Sequence, residues 1–305
     1  MLVFRSHEEV PPSFGPSAVT IGNFDGVHGG HREIMRRVVA LGRERGLTPT
    51  VLTFDPHPAR VLAPERAPKL IMTIGQRLRA MEAEGIEAVL ILPFSLEFAR
   101  LSPAEFAARI LQDSLHAQCV LVGEDFRFGY KQAGNIDTLR EWFEVRPVTA
   151  VERRGERISS SAIRRLLSEG AVSRACRMLG APFALEGQVV KGQGIGSKQT
   201  VPTLNLAPEN EVLPKTGVYV TRTRDLGSSR TWPSVTNVGY RPTFDGDGLT
   251  VETFLLEPVE GETPARIEVQ FLKFIREERK FEDAAALRAR ILKDAAFAAR
   301  LHRRL

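Results

Sequence analysis

Two histidines three residues apart, His28 and His31, close the stretch Gly22–His31, which reads G-N-F-D-G-V-H-G-G-H. The apolar run at 18–21 is typical of a buried strand, and residues 32–39 carry apolar side chains at helical spacing. A glycine-rich turn that joins a strand to a helix offers backbone N–H groups and the positive end of the helix dipole to a phosphate. Histidines three apart face the same side of a helix. Both can therefore donate hydrogen bonds to the charge that develops on a phosphoryl oxygen.

Other interpretations of this turn require a different spacing or different residues. A dinucleotide fingerprint needs G-x-G-x-x-G, and a P-loop ends in Lys followed by Ser or Thr, neither of which the stretch supplies. A tight turn with two ordinary surface histidines is the simplest alternative. With Asn23 and Asp25 just upstream of His28, the stretch resembles the signature of the nucleotidylyltransferase superfamily. Its members transfer a nucleotide from a triphosphate to a second substrate.

The first part of the chain alternates apolar strands with amphipathic helices, which predicts an α/β domain with a Rossmann-like parallel sheet covered on both faces. After the first strand, the predicted elements are a strand at 50–54, a helix at 76–81, a strand at 88–92, a helix at about 102–115 and a strand at 119–122. Ligands of such sheets bind beyond the carboxyl ends of the strands. His28, Asp55 and Asp125 fall just past such ends. We therefore expect them to face a common ligand site.

Two further segments of this part carry candidate binding residues. Gly123–Gly129 supplies Asp125 and Phe128 as a second wall of the site, although taken alone it is better explained as a turn with core phenylalanines. Residues 158–164 read I-S-S-S-A-I-R, a helix start whose serine hydroxyls cap free N–H groups. The same serines, together with Arg164, can hold a triphosphate.

From about Ala181 onwards the helical periodicity gives way to short strands separated by Gly, Pro and Asp-Gly turns. The predicted strands are 183–190, 217–222, 234–239, 250–256 and 266–271. Regular short strands favour a small antiparallel β-barrel, and an amphipathic helix at about 283–301 would close it. The sequence thus predicts two domains, residues 1–182 and residues 183–305, of which the second is mostly β.

Three features of the predicted barrel are suited to phosphoryl transfer. A glycine-rich loop able to wrap phosphate, or simply to join two strands, contains Gly192, Gly194, Gly196 and Lys198. Beyond the loop, Thr203 and Asn205 offer hard oxygen ligands suited to Mg²⁺. Glu252 lies in a segment that is otherwise apolar or hydroxylic, where burying a carboxylate without a purpose is costly. It can serve as a general base for a substrate hydroxyl, or it can face outward from the strand.

Together these motifs resemble the prokaryotic bifunctional riboflavin kinase/FAD synthetase family over nearly the whole chain. The matching motifs are, in order, G-N-F-D-G-V-H-G-G-H, T-F-D-P-H-P, V-G-E-D-F-R-F-G, I-S-S-S-A-I-R and the barrel segments around Thr203 and Glu252. Two departures from the family's usual pattern bear on the proposed sites. Ser161 stands where the family usually has Thr, which keeps the hydroxyl. Leu204 stands where it often has Ala, and we expect the added bulk to lie beside the metal ligands.

The resemblance implies that the first domain adenylylates FMN: the FMN phosphate attacks the α-phosphorus of ATP, and FAD and pyrophosphate are formed. The catalytic residues it implies there are His28, His31 and Arg164. Those implied for ATP are Gly22, Phe24, Gly30, Ser160, Ser161 and Arg164. The residues implied for the flavin or its phosphate are Asn23, Asp25, Asp55, Asp125 and Phe128.

For the barrel domain the resemblance implies a riboflavin kinase, which forms FMN and ADP from riboflavin and Mg²⁺-ATP. Thr203 and Asn205 match the positions that hold Mg²⁺-ATP, and Glu252 matches the base that acts on the ribityl 5′-hydroxyl. Asn237, Arg276 and Arg279 fall in regions that line the flavin side. ATP is thus the co-substrate of both reactions, and FMN and FAD are the products.

Composition restricts the class of protein and its partners. The 305 residues are 43% hydrophobic and 26% charged, with a net charge of +5, which suits a globular protein with polyanionic ligands. Charges and prolines interrupt every apolar run, so no membrane span is expected, and two distant cysteines make a disulfide framework unexpected. The N-terminus lacks a secretory pattern, which predicts a cytoplasmic location. We expect small-molecule substrates, no nucleic-acid or membrane partner, and a monomer or weak homo-oligomer.

Three other classes of function remain open. The basic barrel could bind nucleic acid, although its aromatic residues are too scattered along the sequence to predict a stacking platform. The chain could be a flavin-binding regulator without activity, which would be expected to lose His31 or Glu252. His28, His31 and His57 could ligate a metal, although no carboxylate or cysteine completes a familiar ligand spacing.

Overall fold

The computed structural model describes residues 1–153, 155–190, 203–228, 230–243, 246–279 and 281–304, with the backbone alone at 153, 240–243, 246–248 and 284. Its contacts divide the chain into two compact units, Met1–Ser160 and Ser161–Leu305. Each unit has apolar core clusters of its own.

Six strands of the first unit belong to one sheet: β1 (Leu2–Phe4), β2 (Ser17–Ile21), β3 (Thr48–Asp55), β4 (Ala88–Pro93), β5 (Ala117–Gly123) and β6 (Glu144–Val148). They form one parallel sheet with the order β1-β4-β3-β2-β5-β6, which confirms the predicted parallel sheet. The sequence pattern did not predict the two edge strands, β1 and β6. A separate two-stranded hairpin follows, made of β7 (Glu152–Arg153) and β8 (Glu156–Arg157).

Helices connect these strands. The α-helices of the first unit are α1 (Gly29–Arg45), α2 (Pro58–Leu62), α3 (Ile74–Ala83), α4 (Pro103–Phe106), which continues as a π-helix over Ala107–Ser114, and α5 (Ile136–Arg140). Single 3₁₀ turns lie at His7–Glu9, Pro64–Arg66, Phe98–Arg100 and Tyr130–Gln132.

Apolar side chains cover both faces of the sheet, because successive residues of a strand point to opposite sides. All five residues of β2 are buried. Val19 and Ile21 belong to one core cluster, whereas Ala18 packs in the other, together with Met35 and Val38 of α1. Core packing therefore fixes β2 on both faces, and with it the start of the turn that carries the candidate histidines.

The second unit is an antiparallel closed barrel with helices around it. Helix α6 (Ser160–Ser168) starts at the last residue of the first unit, and α7 (Val172–Leu179) follows it. The strands are β9 (Phe183–Val190), β10 (Thr203–Pro208), β11 (Gly217–Asp225), β12 (Thr231–Thr243), β13 (Gly246–Leu255) and β14 (Arg266–Arg276), and the chain ends with α8 (Ala284–His302). The strands close in the order β10-β13-β12-β11-β14-β9. The predicted barrel and closing helix are confirmed, and β10 is a strand that the sequence pattern did not predict.

Hydrogen bonds attach α6 and α7 to the barrel. The Ser173 hydroxyl donates to the carbonyl of Leu272 at 2.8 Å, and the backbone N–H of Lys215 donates to the carbonyl of Leu167 at 2.9 Å. The contacts thus group both helices with the barrel, whereas the predicted boundary between 182 and 183 groups them with the first domain. Where the two functions divide along the chain stays a prediction.

Five fully buried hydroxyls form a continuous ladder inside the barrel, across strands β11, β12 and β13. Neighbouring oxygens lie 2.7–2.9 Å apart, in the order Thr223, Ser234, Thr221, Thr236 and Thr253. Four hydrogen bonds join the five hydroxyls, so each has at least one partner and the ladder satisfies polar groups that burial would otherwise penalise.

Candidate active sites

The turn between β2 and α1 holds an unusual backbone conformation. Phe24 and Val27 have positive φ angles of 49° and 37°, which residues other than glycine rarely adopt. Gly26 between them has a φ of 81°. The buried Asp25 carboxylate accepts hydrogen bonds from the backbone N–H of Ile71, at 2.9 Å, and from that of Met72. The turn is therefore held by contacts far away in the sequence.

His28 and His31 form a stacked pair at the start of α1. Their ring centroids are 3.6 Å apart with an interplanar angle of 16°. The Phe24 ring packs edge-to-face with that of His31, with centroids 5.1 Å apart. His28 is the N-cap of the helix, since its Nδ1 accepts the backbone N–H of His31. A Cβ at position 30 would lie 3.3 Å from the His28 ring, so Gly30 leaves the room that this ring occupies. The sequence prediction that the two histidines lie on one side of a helix entrance is confirmed.

Burial sets the protonation of this pair. It lowers the pKa of His28 from 6.5 to about 4 and holds the pKa of His31 well below its ordinary value, with the neighbouring His28 as a further cause. Both imidazoles are therefore neutral at neutral pH. Because Nδ1 of His28 is an acceptor, its proton resides on Nε2, which is left as a donor. Nδ1 of His31 is buried without a hydrogen-bond partner among the described residues.

Ser160 lies beside this turn. Its hydroxyl, at the last residue of the first unit, donates to the carbonyl of Asp25 at 2.9 Å. Ser161 and Arg164 follow in the same helix as part of the second unit, the former exposed and the latter half-buried. The contact thus joins Ser160 and Asp25, two of the residues that the sequence singled out.

The remaining candidates of the first unit have diverse surroundings. Asp55 is exposed at the end of β3, and Asp125 is exposed and forms an ion pair with Arg157 at 3.1 Å. The Phe128 ring is buried in a core cluster and stacks on Phe126, as the simpler interpretation of that segment predicts. A Cβ at Gly22 would lie 3.2 Å from the Phe24 ring. Contacts of these residues with a nucleotide or flavin stay predictions.

Sequence reasoning missed Arg77, which is only 3% exposed. Its Nη1 donates to the carbonyl of Asn23 at 3.0 Å, and the Thr53 hydroxyl donates to the same carbonyl at 3.3 Å. A signal was present, because an arginine at position 77 lies on the face of α3 that also carries Ile74 and Met81. A charged residue in an apolar helical stripe marks an interior charge that needs a partner.

In the barrel, three predicted site residues lie in one row. Glu252 on β13 is paired with Asn205 of β10 on one side and with Asn237 of β12 on the other. Residues directly opposite each other on neighbouring strands have Cβ atoms about 4.5–5.5 Å apart and share a face. Glu252 is half-buried on this face, which is the outer face of the barrel because the neighbouring Val251 and Thr253 are fully buried on the other.

Thr203 shares the face of Asn205, because residues two apart on a strand point the same way. The expectation for Leu204 was wrong: its side chain is buried and is paired with Thr253, on the opposite face of β10. The extra bulk of Leu204 therefore lies in the barrel interior and not beside Thr203 and Asn205. The alternation along β10, which was not predicted as a strand, explains the difference.

The segment after β14 contacts this row at Asn237. The Asn237 amide donates to the Glu278 carboxylate at 2.8 Å, and a Cβ at Gly239 would clash with that carboxylate. Arg276 forms an ion pair with Asp294 of α8 at 2.9 Å. The guanidinium of Arg279 lies 4.8 Å from the centroid of the Phe281 ring. The glycine-rich loop with Gly192, Gly194, Gly196 and Lys198 lies outside the described residues.

Comparison with known proteins decides the family. Residues 11–162 match the family model for FAD synthetase, and residues 179–302 match that for riboflavin kinase. A bifunctional riboflavin kinase/FMN adenylyltransferase from Pseudomonas fluorescens is 36% identical over 98% of this chain and 97% of its own length. The chain belongs to this bifunctional family. An enzyme of the same description from Escherichia coli K12 is 34% identical over 90% of both chains.

As a member of the riboflavin kinase/FMN adenylyltransferase family, the protein is a transferase that converts riboflavin to FMN and FMN to FAD, with ATP as co-substrate. The bifunctional flavin enzyme predicted from the motifs is thus confirmed. Its FAD synthetase part is N-terminal and its riboflavin kinase part is C-terminal.

A solved structure described as a macrolide-efflux protein from Streptococcus pneumoniae matches with a TM-score of 0.87 and 28% identity, covering 98% of each chain. That likeness agrees with the two-part fold of this flavin enzyme. Among the described residues, no helix is both long enough and apolar enough to cross a membrane.

Two of the open alternatives can be compared with the structure of this riboflavin kinase/FMN adenylyltransferase. Tyr219 and Trp232 are buried in the barrel unit, where they cannot stack with exposed bases. Within the described part of the chain, no group of three or more His, Cys, Asp or Glu side chains is arranged to hold a metal ion.

Proposed function

We propose that the two established reactions use two separate sets of residues, one that includes the His28–His31 pair and one that includes Glu252. The observation that supports this most directly is the separation itself: the stacked His28–His31 pair lies in the first unit, and the Glu252 row lies in the barrel. Each set has the chemistry of one half-reaction.

In the FMN adenylyltransferase site, the FMN phosphate oxygen attacks the α-phosphorus of ATP, and the bond to pyrophosphate breaks. His28 and His31 are neutral, so each contributes a single N–H donor to the developing charge, and neither acts as a cation. The fixed tautomer of His28 supports this role, because its proton is already on the nitrogen that the helix does not use. Positioning and charge stabilisation supply most of the catalysis in reactions of this kind.

The other candidates of this site would bind substrates. Ser160, Ser161 and Arg164 would hold the triphosphate, and Gly22, Phe24 and Gly30 would shape the nucleotide side. Asn23, Asp25, Asp55, Asp125 and Phe128 would serve the flavin side. For Asp25 we propose an indirect role, because its carboxylate already accepts backbone N–H groups and thereby holds the turn.

In the riboflavin kinase site, Glu252 would take the proton of the ribityl 5′-hydroxyl while the hydroxyl oxygen bonds to the γ-phosphorus of ATP and ADP leaves. Its position between Asn205 and Asn237 supports this assignment, because the amides can orient the carboxylate and the substrate. Arg276 and Arg279 would line the flavin side. The loop with Gly192, Gly194, Gly196 and Lys198 would hold the ATP phosphates.

The donor set at β10 fits Mg²⁺. Thr203 and Asn205 share one face, and a hydroxyl and an amide oxygen beside a carboxylate are hard oxygen donors of the kind that this ion prefers. These residues would hold the ion, which would neutralise charge on the ATP phosphates. A cytoplasmic location, a monomeric or weakly homo-oligomeric state and the absence of a nucleic-acid partner stay predictions.

The experiment that tests this division is chromatography of flavins after incubation of the purified protein with riboflavin, ATP and Mg²⁺. We expect FMN to appear first and FAD to follow. Variants at His31 and at Glu252 should separate the two products, and a loss of both products from one substitution in a folded protein would contradict the assignment.

A further inference from the structure

Building on the adenylyltransferase site proposed above, we propose that Arg77 is a positioning residue for FAD formation. Its guanidinium holds the Asn23 carbonyl and thereby fixes the turn that delivers His28 and His31. Arg77 carries no part of the reaction itself, since the contact that defines it is made to the backbone of the turn.

The geometry around Arg77 is that of a clamp. The segment that leads into α3 holds the turn at Asp25 through the N–H groups of Ile71 and Met72, and Arg77 holds it two residues earlier, at Asn23. A capping box between Thr73 and Gln76 fixes the start of α3 and with it the position of Arg77. Two parts of one segment therefore hold the turn on both sides of Phe24.

The turn needs such a clamp because of its backbone. Phe24 and Val27 both have positive φ angles, and such conformations persist only where the surroundings over-determine them. A hydrogen bond to the carbonyl just before Phe24 opposes its relaxation to an ordinary conformation. Since His28 caps α1 directly after Val27, a relaxed turn would displace both imidazoles.

Charge also separates Arg77 from an ordinary structural arginine. Burial lowers the pKa of its guanidinium, and the charges of Asp25 and Asp55 oppose that effect. The buried cation is thus stabilised by the carboxylates of Asp25, within the turn, and of Asp55, at the end of β3. Among the described residues, its buried Nε has no hydrogen-bond partner. An uncharged residue in this place would remove both the hydrogen bond and the balance of charge.

The test compares Arg77→Lys and Arg77→Met with Arg79→Lys and Arg79→Met, all in the full-length protein. Arg79 is an exposed arginine on the same helix, so its variants control for loss of an arginine from α3. The kcat and KM for FMN and ATP in FAD formation are measured for each, and FMN formation from riboflavin reports the integrity of the other unit. Ring ¹⁵N spectra of the six histidines report directly on His28 and His31.

We expect Arg77→Met to lower kcat for FAD formation about 100-fold, with both KM values within about threefold, because misplacing a site by about 1 Å has effects of that size. Arg77→Lys keeps the charge but loses the planar fork, so its kcat should fall about 10-fold. The ring ¹⁵N signals of His28 and His31 should shift in both variants. The Arg79 variants should match the unsubstituted protein in all respects.

An unchanged kcat in the Arg77 variants, or a raised KM with an unchanged kcat, would overturn the inference. If Arg77→Met does not fold, Arg77→Lys decides, because it retains the buried charge. His31→Ala is assayed in parallel: if it still forms FAD normally, the proposed site itself fails, whereas normal Arg77 variants beside an inactive His31→Ala overturn the role of Arg77 alone.

Discussion

Asn205 and Glu252 lie directly opposite each other on β10 and β13 of the barrel, and Asn237 continues the row on β12. The half-buried Glu252 thus has a residue with a side-chain amide opposite it on each neighbouring strand. This arrangement allows the neighbouring amides to orient the carboxylate. It is the arrangement expected of a general base that must accept a proton from a substrate hydroxyl.

Replacing Glu252 with Gln should reduce the kcat for FMN formation by about 10²–10⁴-fold, since the amide keeps the shape but cannot accept the proton. FAD formation from added FMN should stay normal. The measurement is flavin chromatography with each substrate supplied separately, with Glu257→Gln, an exposed glutamate just after β13, as the control. Normal FMN formation by Glu252→Gln would rule out its role as the base.

Replacing His31 with Ala should have the reverse effect. It removes one N–H donor and one ring of the stacked pair, so FAD formation should fall by about 10²–10³-fold while FMN formation continues. FMN should then accumulate when riboflavin is supplied. His7→Ala, a histidine of the same unit outside the turn, provides the control. Equal losses of FMN and FAD formation in a folded His31 variant would contradict the division of the two reactions.

Much of the site was accessible from the sequence because its determinants are local. A strand, a glycine-rich turn and a capped helix follow one another within residues 17–45, so the spacing of His28 and His31 already places them together. The row through Glu252 was accessible only as separate candidates, because strand register depends on pairing between segments about 15 to 50 residues apart.

The misses share one cause, which is dependence on distant contacts. Arg77 contacts the turn across 54 residues of sequence, and no local pattern reports that its helix packs there. Leu204 was assigned to the wrong side because β10 was not identified as a strand, and one residue of alternation changes the face. The contacts of Glu278 with Asn237 and Gly239 depend on how its segment packs on β12, which the sequence does not show.

The hydroxyl ladder of the barrel leads to a prediction on stability. Thr236→Val should lower the free energy of unfolding by about 1–3 kcal/mol, because the buried hydroxyl of Thr253 then loses the partner it has at 2.7 Å. Trp232 is buried in this unit and can report its unfolding in a Trp142→Phe background, since the chain has two tryptophans. Thr231→Val, at an exposed position of the same strand, should change stability little. Equal effects of the two substitutions would show that the ladder contributes nothing.

The protonation of His28 predicts how stability depends on pH. Its pKa is about 4 in the folded protein against an ordinary value of 6.5, so between these values the unfolded chain binds more protons than the folded one. The stabilisation from keeping His28 neutral is complete above about pH 6.5 and is lost as the pH falls towards 4. The shift corresponds to roughly 3 kcal/mol.

Urea unfolding between pH 4 and pH 8 tests this, with His28→Asn as the matched variant. Asparagine keeps an acceptor that can cap α1 but does not titrate, so the variant should lose stability less steeply below pH 6.5. The difference between the two proteins is the relevant quantity, because burial also lowers the pKa of His31 and that of His302, and both proteins share these effects of burial. If both proteins lost stability with the same slope, His28 would be protonated equally in the folded and unfolded states. The proposed role of His28 as a neutral N–H donor would then be wrong.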